Sequence, residues 1–476
     1  MRRLFVTNLL FVIAVNALVK PIYVLGVDRA VQNHVGPASF GMYQALVNLA
    51  LIFTVLLDFG LANYNIRMVA AAPDQLPQRM GALLTARVLL SATFCTVVFG
   101  AALLLGYRGP SLGLLGGVLL IQCLSQAHLF FRSCLSGLHK FKADSLLSVA
   151  DRLLMIGLCA FLLRFPQFSL RWFIGAQIGC YAVALLIGMR LVRHFSPVRL
   201  RFTLRLQPVW AAMRESLPYA LISFLMAFYL RLDAMLIERL SGAEEAGKYA
   251  AAYRLLDVGQ MFGLTFASML LPLFGRLHAE KKSVRPLVET SANLLLPVSF
   301  IVAGVGLFYA QPIMTLFYPA HGPAEAPIFT LLMLAFPAFC LTHVYSTLLT
   351  ATGQLRKMNQ IATVACVVSL MANLFFIRRY QSVGGGWATL VTQWMVSSAY
   401  AVWASRTSGL AFRPKWLGSM VLYALLVIMI GYGTTFLPLP WPVRLAILCL
   451  ISGILLFPMR FISIGGLKQV FARQGG

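Results

Sequence analysis

Gly36-Pro-Ala-Ser-Phe-Gly41-Met-Tyr43 and Gly242-Ala-Glu-Glu-Ala-Gly247-Lys-Tyr249 share the spacing G-x4-G-x-Y, and the second copy begins 206 residues after the first (242 − 36). Each copy occupies a short gap between two long apolar segments. Each then runs into a further apolar stretch, 44–61 in the first case and 250–271 in the second. A repeated unit inside a hydrophobic chain is typical of a transporter built from two related helical bundles around a central site.

The composition indicates that lipid surrounds most of the chain. Its 476 residues are 60% hydrophobic and 11% charged, with a mean hydropathy of +0.82. A soluble domain carries about 25% charged residues. A water-exposed surface of normal polarity cannot be built from this composition, so we expect an all-α protein embedded in a membrane.

Apolar stretches of roughly 20 residues are long enough to cross a bilayer as helices. The chain has fourteen of them. The expected spans are 5–27, 39–62, 81–105, 112–135, 145–163, 170–193, 215–239, 247–275, 288–310, 326–350, 358–377, 384–406, 415–437 and 441–463. The prolines between the last two spans favour a tight turn over one continuous helix.

The repeat divides these spans into two pseudo-symmetric lobes of six helices and a terminal pair. The expected boundaries are 1–195 for the N-lobe, 196–214 for a basic connecting loop, 215–410 for the C-lobe and 411–476 for the last two helices with a short tail. The loop alternates basic with apolar residues. It is either a segment lying in the headgroup region or a solvated loop that sets the topology.

The basic residues predict the orientation. With fourteen spans, 25 of the 39 Lys and Arg residues fall on the side that carries both termini, and nine fall in the opposite loops. The side richer in Lys and Arg is cytoplasmic by the positive-inside rule. The net charge of +25 is therefore explained by loops that face anionic lipid headgroups, and nucleic acid is not an expected partner.

Two basic residues in the first lobe are candidates for an anion-binding lumen. Lys20 continues a polar stripe with Asn8 and Asn16 along the first span, and it precedes Pro21. Arg87 has no acidic residue within one turn of its own helix. Charged groups at membrane depth are generally functional or paired. The alternative for both side chains is snorkelling to a nearby interface.

Two further candidates, Arg231 and Arg254, lie in the seventh and eighth spans. A guanidinium group presents a rigid fork of donors that matches phosphate oxygens. Asp257 lies one turn from Arg254 and partly neutralises it, which makes Arg231 the stronger candidate. The alternative is an ion-pair network that includes Glu238 and only holds the helices together.

Three carboxylates inside the spans are candidates for ion coupling: Asp58, Asp233 and Asp257. The chain has no phosphate-binding loop for ATP, so we expect H⁺ or Na⁺ to drive transport, with no bound cofactor. Asp58 is the first choice, although it can instead cap or pair near a helix end. Asp151-Arg152 is interpreted as a charge pair near a helix entrance rather than a site.

The sequence offers little for catalysis or metal binding. The seven histidines are scattered, and the eight cysteines all lie in apolar segments without metal-ligand spacing. The predicted loops are too short for a catalytic domain. We therefore expect a protein that is not an enzyme and holds no metal, with a membrane glycan polymerase or glycosyltransferase as the alternative from another class.

Four stretches of the sequence carry a resemblance to a known family. The first repeat copy together with Leu57-Asp58-Phe59-Gly60-Leu61 resembles the second-helix region of bacterial polysaccharide transporters. Arg231-Leu-Asp233-Ala-Met-Leu-Ile237 and Gly247-Lys-Tyr249-Ala-Ala-Ala-Tyr253-Arg254 resemble the corresponding region of the second lobe. These are O-antigen-type (Wzx-like) flippases of the multidrug/oligosaccharidyl-lipid/polysaccharide (MOP) superfamily.

The resemblance implies two lobes in a V around a lumen, in the inner membrane of a bacterium. It also implies flipping of an undecaprenyl-pyrophosphate-linked oligosaccharide, and polysaccharide assembly proteins as further partners. Lipid II flippases and multidrug exporters of the same superfamily are the alternatives.

The topology can be tested with single cysteines on a cysteine-free background. Cysteines near Lys140, Arg201 and Lys281 should react with an impermeant thiol reagent only from the cytoplasmic side. Cysteines near Gly36, Gly242 and Ala320 should react from outside in intact cells. Outside labelling of the loop around Arg201 would contradict the number of spans.

Overall fold

In a computed structural model of the chain, all regular secondary structure of the described residues is helical. The described residues are 19, 22–59, 61–62, 65–66, 69, 74, 76–138, 140–196, 224–225, 228–408, 414–459 and 461. Lys20 and most of the predicted connecting loop lie outside them. Two compact units, Met1–Ala250 and Ala251–Gly476, are distinguished by their internal contacts and are called unit 1 and unit 2.

The first described element of unit 1 is a π-helical turn, Tyr23–Asp28, that leads directly into a short α-helix. Its helices are α1 (Arg29–Val35), α2 (Pro37–Ile52), α3 (Val55–Asp58), α4 (Leu76–Leu104), α5 (Pro110–Gly137), α6 (Phe141–Leu162), α7 (Leu170–Phe195), α8 (228–241) and the first residues of α9 (Ala243–Ala279). Helices α5 and α7 pack together over much of their length, and α2 packs on α5.

Unit 2 continues α9 and contains α10 (Arg285–Phe317), α11 (Gly322–Ala351), α12 (Leu355–Ser408), α13 (Pro414–Thr435) and α14 (Trp441–Leu455). Helix α11 packs extensively against both α10 and α12. The last two helices, α13 and α14, pack against α10. Tyr423 is fully buried in the resulting core, where its hydroxyl donates to the Ser452 carbonyl at 2.9 Å.

Two breaks subdivide helices where the apolar pattern alone shows continuity, and a third lies between two predicted spans. The second span is interrupted at Phe53-Thr54 and turns at Phe59, whose φ is 46°. Helix α10 loses its helical geometry at Tyr309, three residues before Pro312, whose ring cannot be accommodated by a regular turn. The eleventh and twelfth spans are both contained in α12, where a kink at Gln381 separates them into two helices.

Seven of the described helices are long and apolar enough to cross a membrane. Their outward surface is apolar, as shown by Leu104, Met371 and Phe375, which are 92%, 65% and 60% exposed. Soluble monomers rarely leave large apolar areas open to water. Helices also satisfy their own backbone hydrogen bonds, as lipid requires. The all-helical prediction is confirmed.

Candidate functional site

The two copies of the repeated motif have the same backbone hydrogen bonds. Gly36 and Gly242 have φ angles of 84° and 96°, a region that favours glycine. Each glycine N–H donates to the carbonyl four residues earlier, at 2.9 and 3.0 Å. Each glycine carbonyl in turn accepts from the N–H four residues later, at 3.1 and 3.2 Å. The sequence repeat is therefore also a structural repeat.

The second glycine of each copy lies where α2 and α9 cross within unit 1. A Cβ atom on Gly41 would overlap the Ala243 carbonyl, and one on Gly247 would overlap the Pro37 carbonyl. The Gln32 side chain also donates from Nε2 to the Gly247 carbonyl at 3.1 Å. Only glycine permits so close an approach of two helix backbones. Because the motifs touch, both lie at the same level of unit 1.

The tyrosine of each copy is buried and hydrogen-bonded to a polar side chain. The Tyr43 hydroxyl donates to Gln177 Oε1 at 3.0 Å, and the Tyr249 hydroxyl donates to Asp233 Oδ2 at 2.9 Å. Asp233, a predicted coupling carboxylate, is 4% exposed. We call the contact of α2 and α9 at Gly41 and Gly247 the glycine crossing. Both tyrosines link this crossing to buried polar groups of unit 1.

Arg87 and Asp58 lie together, although they are 29 residues apart in sequence. Arg87 Nη2 is 3.1 Å from Asp58 Oδ1, and Nη1 donates to the Leu57 carbonyl at 3.0 Å. The Arg87 guanidinium also lies 5.3 Å from the centre of the Phe130 ring. The Asp58 carboxylate additionally accepts from the Ala62 N–H at 3.2 Å. These contacts give both side chains a structural role at the end of α3, and their anion-binding and ion-coupling roles stay predictions.

The remaining candidates are divided between the units. Arg231 is partly buried in α8 of unit 1. In unit 2, Arg254 is 5% exposed and its Nη1 donates to the Tyr318 hydroxyl at 3.1 Å, whereas Asp257 is partly buried. No three His, Cys, Asp or Glu side chains of the described ranges form a metal-binding group.

Glu238 has partners that its position on α8 does not reveal. The Tyr107 hydroxyl donates to Glu238 Oε2 at 2.7 Å, and Arg239 Nε lies 3.8 Å from the same oxygen. The Arg239 guanidinium stacks 3.9 Å from the centre of the Tyr107 ring. This cluster ties α8 to the turn between α4 and α5.

Sequence reasoning missed a polar cavity of about 150 Å³ inside unit 1. Asp151, interpreted from the sequence as part of an entrance charge pair, is 6% exposed and lines this cavity. The other polar lining residues are Tyr23, Tyr43, Gln122, Arg152, Gln177 and Tyr181. A charged residue in the middle of an apolar span was the available signal, but the convergence of five segments on it was not visible in the sequence.

The fold is that of known membrane flippases and exporters. A structure described as the lipid II flippase MurJ in an inward closed conformation matches with a TM-score of 0.74 at 12% identity, over 94% of this chain and 98% of that one. An inward-facing multidrug resistance MATE family transporter of the MOP superfamily matches at 0.64 and 13%, over 84% and 98%. A MOP superfamily transporter from Pyrococcus furiosus matches at 0.55 and 13%, over 84% and 93%. The chain is thus a multi-pass helical membrane protein with a flippase fold.

The family follows from the sequence itself. Residues 6–278 match the model of the family described as polysaccharide biosynthesis protein. This match covers more than half of the chain, so the chain belongs to that family. No curated protein matches the sequence.

The glycine crossing predicts that a larger side chain separates the two motifs. Gly41→Val or Gly247→Val should move α2 and α9 toward the separation of ~8–10 Å that side chains normally impose on helix pairs. Spin labels at the exposed positions Ser39 and Glu244 should report longer distances in both variants. Gly116→Val is the matched control, because nothing lies within 4 Å of a Cβ at Gly116. An unchanged distance in the Gly41 and Gly247 variants would contradict the close crossing.

The Arg87–Asp58 pair predicts a stability effect that depends on both partners. Arg87→Met leaves the partly buried Asp58 carboxylate without its cation, which costs on the order of 3 kcal/mol. Arg87→Met combined with Asp58→Asn should recover part of that loss, as measured by thermal unfolding in detergent. The more exposed Arg285–Glu289 pair, whose atoms are 2.8 Å apart, is the control, and Arg285→Met should cost less than about 1 kcal/mol. Equal losses of stability at the two sites would contradict the prediction, because they would show that burial does not strengthen the Arg87–Asp58 pair.

Proposed function

We propose that this protein flips an undecaprenyl-pyrophosphate-linked oligosaccharide, such as an O-antigen or other surface-polysaccharide repeat unit, from the cytoplasmic to the outer leaflet. The observation that carries the proposal is a match to a polysaccharide biosynthesis family on a fold shared with a lipid II flippase. Flipping, rather than synthesis, fits a chain whose structural neighbours are transporters. The protein is accordingly proposed to be no enzyme.

The proposed setting is the inner membrane of a bacterium, with fourteen crossings and both termini in the cytoplasm. The proposed lobes are 1–195 and 215–410, joined by the basic loop and followed by the last helix pair. The contact between the two glycine motifs supports one part of this topology, because it requires both motifs to lie at the same membrane face.

The substrate carries a pyrophosphate, and the proposed anion-binding residues are Lys20, Arg87, Arg231 and Arg254. Buried guanidinium groups bind phosphate oxygens strongly, because the interaction is charge-assisted and poorly screened. The buried Arg254 side chain already donates a hydrogen bond to the Tyr318 hydroxyl, an oxygen acceptor like those of a phosphate group. A cationic drug would be repelled by the same groups, so a multidrug exporter is the weaker alternative.

Transport is proposed to proceed by alternating access. The basic groups attract the headgroup and glycan, while the prenyl tail remains in lipid. The glycine crossing of α2 and α9 is proposed as the closure on the outer side, which must separate before the substrate can leave. A lipid II flippase is the second candidate, favoured by the TM-score of 0.74 over nearly the whole chain.

The proposal is tested with purified protein in proteoliposomes that contain undecaprenyl-pyrophosphate-linked oligosaccharide. Arg231→Ala should slow flipping by roughly 10–100-fold, the effect of losing a charge-assisted hydrogen bond worth about 1.5–3 kcal/mol. Arg231→Lys should recover only part of the rate, because the bidentate fork is lost. Lys20→Ala should behave like Arg231→Ala, and a Glu at either position should be worse.

Arg190→Ala is the matched control, since it removes a basic side chain from the exposed surface of α7. Normal rates for both Arg231→Ala and Lys20→Ala would refute the pyrophosphate site. Efficient flipping of lipid II, without flipping of peptide-free lipid-linked oligosaccharides, would favour the second candidate.

A further inference from the structure

A second, shorter repeat connects two pairs of helices. Gly137-Leu-His-Lys140 and Gly353-Gln-Leu-Arg356 share the spacing G-x-x-Lys/Arg, and the second copy begins 216 residues after the first (353 − 137). The first copy lies between α5 and α6 of unit 1, and the second lies between α11 and α12 of unit 2. Each copy therefore places a basic residue where a new helix begins, with Lys357 following directly in the second.

A lysine at each of these connections makes the same kind of contact. Lys140 Nζ lies 4.8 Å from the centre of the ring of Phe195, the last residue of α7. Lys357 Nζ lies 4.6 Å from the centre of the ring of Trp403, in the last two turns of α12. In both units the start of one helix is thus joined to the end of a later span by a lysine over an aromatic ring.

Both contacts lie where long apolar helices end. Helices α5 and α7 are long and apolar enough to cross a membrane, and they end at Gly137 and Phe195. The same holds for α11 and α12, which end at Ala351 and Ser408. The ends of such helices lie in the headgroup region of a bilayer, where lysine and tryptophan side chains are frequent. The two lysines are therefore at the depth of the lipid phosphates.

The positive charges of the two lysines are not cancelled within the described chain. An aromatic ring attracts and orients an ammonium group but leaves its charge intact. In the described ranges neither Lys140 nor Lys357 forms an ion pair with a carboxylate. The acidic residue in the first turn of α6, Asp144, is bound by Arg132 Nε at 2.8 Å. The first turn of α12 contains no acidic residue.

Other lysines of the chain show the more usual arrangement. Lys248 Nζ lies 2.7 Å from a Glu245 oxygen, and Lys282 Nζ lies 2.8 Å from a Glu280 oxygen. Such pairs are neutral overall and attract a further anion weakly. Lys140 and Lys357 differ because each keeps a positioned charge that an anion from outside the chain can satisfy.

Further nitrogen donors lie beside each ring. In unit 1 the exposed imidazole of His194 packs edge-on against the Phe195 ring, with the ring centres 5.0 Å apart. In unit 2 the exposed Arg406 lies one turn beyond Trp403 and shares its helix face. Each site thus combines a lysine with a second group that can donate to a phosphate oxygen.

The surface that continues from each site is apolar. Val364 and Met371 follow Lys357 at intervals of seven residues, so they lie on nearly the same face of α12, and they are 56% and 65% exposed. On α6 the exposed residues Leu146 and Leu153 are also seven residues apart. A free phosphate ion would use only the basic part of such a surface. A lipid uses both parts, because its phosphate is attached to hydrocarbon chains.

We propose that Lys140 with Phe195, and Lys357 with Trp403, form two equivalent binding sites for the phosphate group of an anionic phospholipid, one in each unit. The ammonium group donates to a phosphate oxygen, the ring holds the lysine in position, and the acyl chains lie along the exposed face of α6 or α12. The sites include none of the residues proposed to bind the transported pyrophosphate. This inference does not rest on the proposed flipping function.

The sites are tested by native mass spectrometry of the purified full-length protein with phosphatidylglycerol, and with phosphatidylcholine as the lipid without net charge. The wild-type protein should retain two phosphatidylglycerol molecules under conditions that remove phosphatidylcholine. Lys140→Gln and Lys357→Gln should each weaken one of the two affinities by about fivefold, the effect of one basic residue beside an anionic lipid. The double variant should lose both sites.

Lys282→Gln is the matched control, because it removes an exposed lysine whose charge is already paired with Glu280. This variant should bind two phosphatidylglycerol molecules like the wild-type protein. Lys140→Arg and Lys357→Arg keep the charge and should also keep binding, which separates a loss of charge from a loss of folding. Equal retention of the two lipids by the wild-type protein, or unchanged retention in the double glutamine variant, would overturn the proposal.

Two further ligands distinguish the possible sources of the phosphate. Inorganic phosphate in large excess should leave phosphatidylglycerol bound, because it gains nothing from the apolar surface. Displacement by inorganic phosphate would show a site for free anions and would overturn the lipid assignment. Glycan-free undecaprenyl pyrophosphate at equal concentration should also leave phosphatidylglycerol bound. Its preferred binding through the same lysines would assign the sites to the transported class of lipid and overturn the proposal, whereas the flipping assay decides the proposed function separately.

Discussion

The close crossing of α2 and α9 is the contact on which the arrangement of unit 1 depends. At Gly41 and Gly247 the backbone of one helix takes the space where the other would carry a Cβ atom. Gly36 and Gly242 adopt φ angles that favour glycine, and these turns set the direction in which each helix leaves the crossing. The two tyrosines that follow are thereby directed toward buried polar partners. One short spacing thus specifies a turn, a helix contact and a hydrogen bond in each copy.

Buried charge is the second constraint. Lipid offers no compensation to an ionised side chain, so each must find a partner within the protein. Asp58 pairs with Arg87, Glu238 accepts from Tyr107, and Arg254 donates to Tyr318. Every one of these partners comes from a different segment of the chain, so the polar contacts also fix which segments are neighbours. Asp151 departs from this pattern because its nearest cation, the Arg152 guanidinium at 3.6 Å, belongs to the adjacent residue of the same helix.

The sequence predicted what depends on local pattern. The all-helical fold was predicted from the length of the apolar stretches, and the two glycine motifs were identified from the spacing of their residues alone. What the sequence did not reveal depends on tertiary contacts. Arg87 has no acid on its own helix and obtains one from α3, 29 residues earlier. The cavity around Asp151 requires five segments to converge. The predicted gap between the eleventh and twelfth spans is a kink at one residue, Gln381, whose φ is 54°, rather than a loop.

The glycine crossing and the cavity share one helix, and this has a mechanical consequence. Helix α2 carries Gly41 at the crossing and Tyr43 and Val47 on the cavity wall, within two turns of each other. A rigid helix segment cannot change its contact at one of these points and keep the other unaltered. The Tyr43–Gln177–Tyr23 chain extends the same linkage to the π-helical turn. A contact between a glycine and a neighbouring backbone is either made or lost, with little room for partial separation. A small shift of the residues around the cavity can therefore switch unit 1 between two discrete arrangements.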